Sequence, residues 1–179
     1  MGSLTIVEVA EYHNDVADSL KLYFSEHSPS FGTRFFGRSP AEIAAELAAR
    51  LEETDLRSAF FILASLEADF RVDYEYRCEK KIKDDLSRAF RTIYQSRRRN
   101  AKVGRNASLD EDIFETWKEE KQAPVPRLIG ELRGAFKFRH WLAHGRYWEP
   151  KLGRRKYDFN FIYSLADDVL SAFPLLKFD

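Results

Sequence analysis

The sequence predicts an all-α fold, a helical bundle with an additional N-terminal helix, and three observations carry it. Apolar residues recur at helical spacing through most of the chain. Two serines open capping boxes, and runs that alternate apolar with polar residues, as a half-buried strand would, are nearly absent. The 179 residues suit one domain long enough to bury a sizeable core. No stretch approaches the roughly 20 uninterrupted apolar residues of a membrane span.

Leu4 to about Glu26 reads as a long amphipathic helix with Val9, Val16, Leu20, Tyr23 and Phe24 near one side. Residues 29–38 (PSFGTRFFGR) show no period and read as a loop. Ser39-Pro40-Ala41-Glu42 is a capping box with Pro at the first helical position, where its missing amide hydrogen costs nothing. The helix it opens runs through Ile43, Leu47 and Leu51 to Thr54-Asp55, which caps or kinks it. Phe60 to Leu66 is the most apolar stretch and reads as a central core helix whose far end, Glu67 to Tyr74, turns polar.

Lys81 to about Arg99 is predicted as a further helix, and 100–106, with Gly104, as a loop. Ser108-Leu109-Asp110-Glu111 opens a short helix through Ile113, Phe114 and Trp117. Ala123-Pro124-Val125-Pro126 breaks the chain before a helix that runs to about His144, where Gly145 suits a left-handed terminating residue. Arg146 to Lys156 is a basic loop, and Asp158 caps a last helix ended by Pro174. With no internal repeat or linker, 1–179 reads as a single domain: 1–38 an added helix and loop, 39–179 the helical core.

The single Cys78 excludes an internal disulfide, and the N-terminus lacks the pattern of a secretory leader, so the expected setting is the cytoplasm. Net charge is zero, with 29 basic and 29 acidic residues, but the charges are segregated. Leu86 to Leu109 carries seven cations (Arg88, Arg91, Arg97, Arg98, Arg99, Lys102, Arg105) and no acid. Arg127 to Tyr157 carries nine cations against Glu131 and Glu149. Local potential, not the sum, attracts a phosphate backbone. The competing reading is that these basic segments pair with acidic ones across the fold. If they bind a polyanion, the balancing acids should lie away from the site, or against a basic partner that holds the protein silent.

Two of the four histidines fall in one turn, Arg139-His140-Trp141-Leu142-Ala143-His144. A metalloprotease helix needs Glu directly after its first His, and Trp141 stands there; His13 and His27 or Cys78 could complete a structural zinc site, but their spacing matches no standard pattern, so no metal and no cofactor is expected. For the histidines alone, packing near a helix end is the simpler account. Arg139 beside them changes that balance. Arg, a polar residue and then His five positions after the Arg, late in a helical chain, resembles the R-X(4–6)-H signature of the HEPN family of ribonucleases and toxins.

The resemblance implies a HEPN-like helical bundle and an endoribonuclease that uses no metal, of the toxin or antiviral type, with Arg139 and His144 catalytic and His140 orienting the substrate or His144. Such cleavage uses the ribose 2′-hydroxyl as nucleophile. It needs a group that takes and gives a proton near neutrality, which imidazole does, and a forked cation for phosphoryl oxygens, which is arginine. The family also implies a homodimer with the motifs of both chains at a two-fold interface, an RNA substrate, and an antitoxin or regulatory partner. In HEPN toxins whose Tyr is nucleotidylated by the antitoxin, that Tyr lies two residues beyond the His. Here Arg146 holds the place and Tyr147 follows.

Arg97, Arg98, Arg99, Lys102 and Arg105 are candidate RNA-backbone contacts, as are Arg146, Arg154, Arg155 and Lys156, which interleave with the aromatics Tyr147 and Trp148. The alternative for each is a solvated helix end or a core contact. Glu67, Asp69 and Asp73 are candidates to line the cleft and tune His144, against the alternative of an internal salt-bridge network. A non-catalytic helical module that binds RNA, nucleotide or a partner protein is the competing function.

Overall fold

The longest element is also the organising one. In the computed structural model, which describes residues 4–99, 107–119, 124–153 and 155–178, helix α3 runs unbroken over 40 residues, Pro40–Glu79. Helix α1 (Ile6–Tyr23), α4 (Asp85–Arg99), α6 (Val125–Ala143) and α7 (Phe159–Ala172) pack against it, with short helices α2 (Phe31–Arg34) and α5 (Glu115–Lys118) between them. The described residues are helical with no strand. None of the helices they form is long and apolar enough to cross a membrane.

The core sits on the C-terminal half of α3. Ala59, Ile62, Leu63, Leu66 and Phe70 recur at helical spacing and are fully buried, facing Leu128, Ile129, Leu132 and Ala135 of α6 and Ile162, Ala166 and Val169 of α7. Each large apolar side chain so enclosed contributes roughly 1.5–3 kcal/mol. Before Ser58, α3 buries no residue, so its first half projects from this core.

The capping boxes set the helix starts. Ser39 Oγ accepts from the Glu42 amide, and the Glu42 carboxylate accepts from the Ser39 amide at 2.7 Å. Thr5 and Glu8 make the same reciprocal pair at α1. Asp158 caps α7 through the Phe161 amide.

Four expectations need correction. Thr54-Asp55 neither caps nor kinks α3: the Thr54 hydroxyl donates back to the Arg50 carbonyl at 2.9 Å, so the polar side chain is absorbed inside the helix. The 29–38 loop contains α2, steadied by the Phe24, Phe31 and Phe35 rings and by Arg34, whose guanidinium donates to Ser30 and to the Tyr23 carbonyl. Helix α4 begins at Asp85, not Lys81, because Lys81 takes a left-handed φ of 52° and Asp84 then caps through the Ser87 amide. Leu109–Phe114 is a π-helical turn: the Ile113 amide reaches the Ser108 carbonyl, and the Asp112 carboxylate, not Glu111, returns to the Ser108 amide at 2.6 Å. The expected 100–106 loop and Ala123 lie outside the described residues.

Candidate active site

Helix α6 carries the site on two adjacent faces. Arg133, Lys137, His140 and His144 follow at intervals of four, three and four, so they share one stripe, while Arg139 turns about 100° away toward α3. Arg133, Lys137, Arg139 and His140 line a cleft of about 710 Å³, closed on the other side by the π-helical turn and residues 148–152. His144 is not among the lining residues.

On α3, Glu67 Oε2 meets Arg139 Nη1 at 2.9 Å, and Oε1 of the same carboxylate holds Arg71 at 2.8 Å. The Phe60 ring lies 5.5 Å from the Arg139 guanidinium carbon, within cation–π range. Arg139 Nε is buried without a hydrogen-bond partner among protein atoms. The guanidinium is thus pinned at one end against α3.

His144 is where α6 stops. Its backbone has left helical values, the Gly145 amide donates to the Leu142 carbonyl, and the Arg146 amide donates to the Trp141 carbonyl, which is the Schellman arrangement. Gly145 takes the expected left-handed φ of 79°, and Arg146 follows at 58°. The His144 ring is exposed, with its centroid 4.2 Å from that of His140. Trp148 approaches both imidazoles, at 6.0 and 6.4 Å, and is held by the Trp141 indole N–H, which donates to its carbonyl at 2.7 Å. Tyr147 is 83% exposed and stands edge-on to Trp148.

Within one chain, then, Arg139 and His140 meet in the cleft and His144 lies against His140 at its border. Glu67 reaches the cleft as expected. Asp69 and Asp73 face the C-terminal segment instead: Asp69 pairs with Lys177 at 2.8 Å, and Asp73 pairs with Arg77 at 2.7 Å and accepts from the Leu176 amide. Burial pushes the Asp73 carboxyl above its usual range. The internal salt-bridge network describes these two residues.

Much of the basic charge is also matched internally. Arg97 pairs with Asp112, Arg155 with Glu131, Lys156 with Asp158, and Arg146 with Glu53. The Arg146 guanidinium holds the Glu53 carboxyl below its ordinary range. Lys102, Arg105 and Arg154 lie outside the described residues. The expectation that the balancing acids keep clear of the site is corrected as well, since Glu67 and Asp110 line the cleft. Asp110 and Glu115 hold Arg133 at 2.5 Å each.

Besides Arg133, Lys137 and Lys151 are the cleft cations that the motif did not single out. Among the described residues neither lysine has a carboxylate within ion-pair distance, and both are exposed. Lys137 was legible as a member of the 133-137-140-144 stripe; Lys151 carried no such signal. Among the described residues no three His, Cys, Asp or Glu side chains converge as a metal site.

The fold and the site together define an all-α protein with a mixed-charge, net cationic cleft where α6 ends. No family model, curated protein or solved structure matches the chain.

Proposed function

We propose that this chain is a HEPN-type endoribonuclease, acting in the cytoplasm as a toxin or antiviral effector held in check by a partner protein. What supports the reading above all is the last turn of α6. It brings a forked cation, Arg139, and an imidazole, His140, to one cleft, with a second imidazole 4.2 Å beyond the first.

In this reading the ribose 2′-oxygen attacks phosphorus and the bond to the 5′-oxygen breaks, leaving a 2′,3′-cyclic phosphate and a 5′-hydroxyl. One imidazole takes the proton of the 2′-hydroxyl and another supplies the proton of the leaving oxygen. Arg139 stabilises the charge on the phosphoryl oxygens, and Lys137 and Lys151 hold flanking phosphates. A homodimer with both α6 ends at its two-fold would complete the site, setting one chain's His144 against its partner's Arg139.

Arg139→Ala and His144→Ala should each lower RNA cleavage by about 10²-fold or more while leaving the oligomeric state unchanged. The product should carry a cyclic phosphate and form equally well with a chelator present. Full cleavage by both purified variants would refute the assignment.

The second reading is a non-catalytic RNA- or partner-binding module. Two observations favour it: Arg139 is already neutralised by Glu67, and His144 lies outside the cleft of the single chain. It predicts salt-sensitive binding of intact RNA and no cut product.

A further inference from the structure

We propose that the groove between the end of α3 and the outer face of α4 is a second binding site, one that takes single-stranded RNA, with Lys81, Arg91, Arg98 and Arg99 on its phosphates and Tyr94 stacked on a base. The groove encloses about 330 Å³, and its remaining lining is Cys78 and Gln95, so no carboxylate faces it. That RNA is the nucleic acid rests on the function proposed above; the fit to a single strand rests on the groove's own residues.

Charge pairing sets this groove apart. Elsewhere the described arginines are matched to carboxylates, as Arg88 is to Asp85 and Arg97 to Asp112 on the same helix. Arg34 apart, the arginines with no carboxylate in ion-pair distance are Arg91, Arg98 and Arg99, all in the groove wall. Lys81 joins them from the turn. Like charges gathered in one concavity without counter-charge leave a positive potential that a phosphate backbone relieves, with release of its counterions.

The wall is also held in shape. Arg91 Nη1 donates to the Ile82 carbonyl at 2.5 Å, which ties the α3–α4 turn to α4 directly after Lys81, whose φ is a left-handed 52° at the groove edge. For a residue other than glycine that conformation is uncommon and persists only where the surroundings enforce it. Arg91, Tyr94 and Arg98 then follow at intervals of three and four, a stripe about 10 Å long on one helix face.

Tyr94 decides between ligand classes. Tyr94 is 39% exposed, and the Arg98 guanidinium carbon lies 5.6 Å from its ring centroid. An aromatic face set among cations is how single-stranded nucleic acid is held without sequence preference; a free phosphate or an acidic peptide makes no use of it. The neighbouring Arg97 anchors Asp112 of the π-helical turn, whose Leu109 and Asp110 line the α6 cleft. Helix α4 thus presents the groove on one face and touches the segment that borders the cleft with another.

The test is fluorescence anisotropy with a labelled oligouridylate of about 12 nucleotides, titrated in the 179-residue chain carrying Arg139→Ala from about 50 to 200 mM salt. Adding Arg98→Gln and Arg99→Gln should weaken binding about tenfold or more at the low-salt end and flatten the logarithmic salt slope by about 1.4. Tyr94→Ala should weaken binding about fivefold or more with the slope unchanged. Arg50→Gln, on the projecting half of α3, is the control and should change neither. Unchanged affinity and slope in the Arg98/Arg99 variant, or polyglutamate competing as well as oligouridylate, overturns the proposal. The two proposals fail separately: a wild-type chain that cuts no RNA but binds through these residues refutes only the enzyme, and one that cuts RNA while the groove variants bind like their parent refutes only the groove.

Discussion

Glu67 on α3 and Arg139 on α6 meet at 2.9 Å, and the same carboxylate holds Arg71, so one acid positions the cation on which the proposed chemistry depends. The pair is partly open to solvent, with side-chain exposures of 29% for Arg139 and 19% for Glu67. Its strength is therefore that of a screened ion pair, on the order of 1 kcal/mol. Glu67 also competes with phosphate for the guanidinium.

Glu67→Gln separates those two effects. The amide keeps the shape and removes the charge, so Arg139 is released toward phosphate but less firmly placed. In the proposed ribonuclease KM should fall, because the ground state gains an unopposed cation, and kcat should fall with it, because orientation is lost. Stability should drop by about 1 kcal/mol in denaturant unfolding. A rise in KM with kcat unchanged would show that Glu67 does not position Arg139.

Local chemistry made part of this site readable from sequence. Gly145 ends α6 because a left-handed residue is required there, and Ser39 and Asp158 begin helices because a side-chain oxygen satisfies orphan amides. Such signals act within a few residues. Thr54 misled because the same hydroxyl that caps a helix also bonds back inside one. What needed the tertiary fold was the choice of partner. Asp69 and Asp73 lie on the helix that carries Glu67, yet two and six residues of helical rotation turn them to the C-terminal segment instead of the cleft. Lys151 reaches the cleft from a loop with no period to announce it.

Gly134 in α6 shows packing against the loop after the motif. A β-carbon built there would stand 2.2 Å from the Tyr157 hydroxyl oxygen, and Tyr157 is stacked on Phe138, with ring centroids 5.5 Å apart. Gly134→Ala should displace Tyr157 and cost about 1–3 kcal/mol, outweighing the gain in helix propensity. Tyr157→Phe in the same chain removes the clashing oxygen and should restore most of the loss. Thermal unfolding of the single and double variants checks this; a double variant no more stable than Gly134→Ala contradicts the steric account.

The Asp73–Arg77 pair is enclosed, with the Asp73 side chain fully buried and that of Arg77 7% exposed. Arg77 also donates to the Pro174 carbonyl and to Ser87, so the pair fastens the C-terminal segment and α4 to α3. Arg77→Met leaves a buried carboxylate without its cation and should cost about 3–5 kcal/mol. Asp73→Leu combined with Arg77→Met should recover a large part of that, because no charge then remains to be desolvated. Hydrogen exchange at the Leu176 amide, which donates to Asp73 at 2.9 Å, should quicken in both variants. If the double variant is as unstable as Arg77→Met, the loss lies in packing and not in the stranded charge.

His13 makes stability depend on pH. Its ring stacks on Phe159 at 3.7 Å, Nδ1 lies 3.1 Å from the Ser58 hydroxyl, and burial lowers its pKa below the ordinary imidazole value, with nearby Asp55 opposing only in part. The folded chain thus prefers the neutral ring, and between the folded and unfolded pKa values the unfolded chain binds more protons. Stability contributed by this site is present above the unfolded value of about 6.5 and is lost as pH falls through it toward the folded pKa. His13→Phe keeps an aromatic stack on Phe159 and removes the titration, at the cost of the Ser58 contact. The wild-type chain should therefore lose more stability than His13→Phe between about pH 7.5 and 5.5, although the variant starts lower. Denaturant unfolding at the two pH values gives the comparison, and an equal drop in both chains would place the acid sensitivity in other groups.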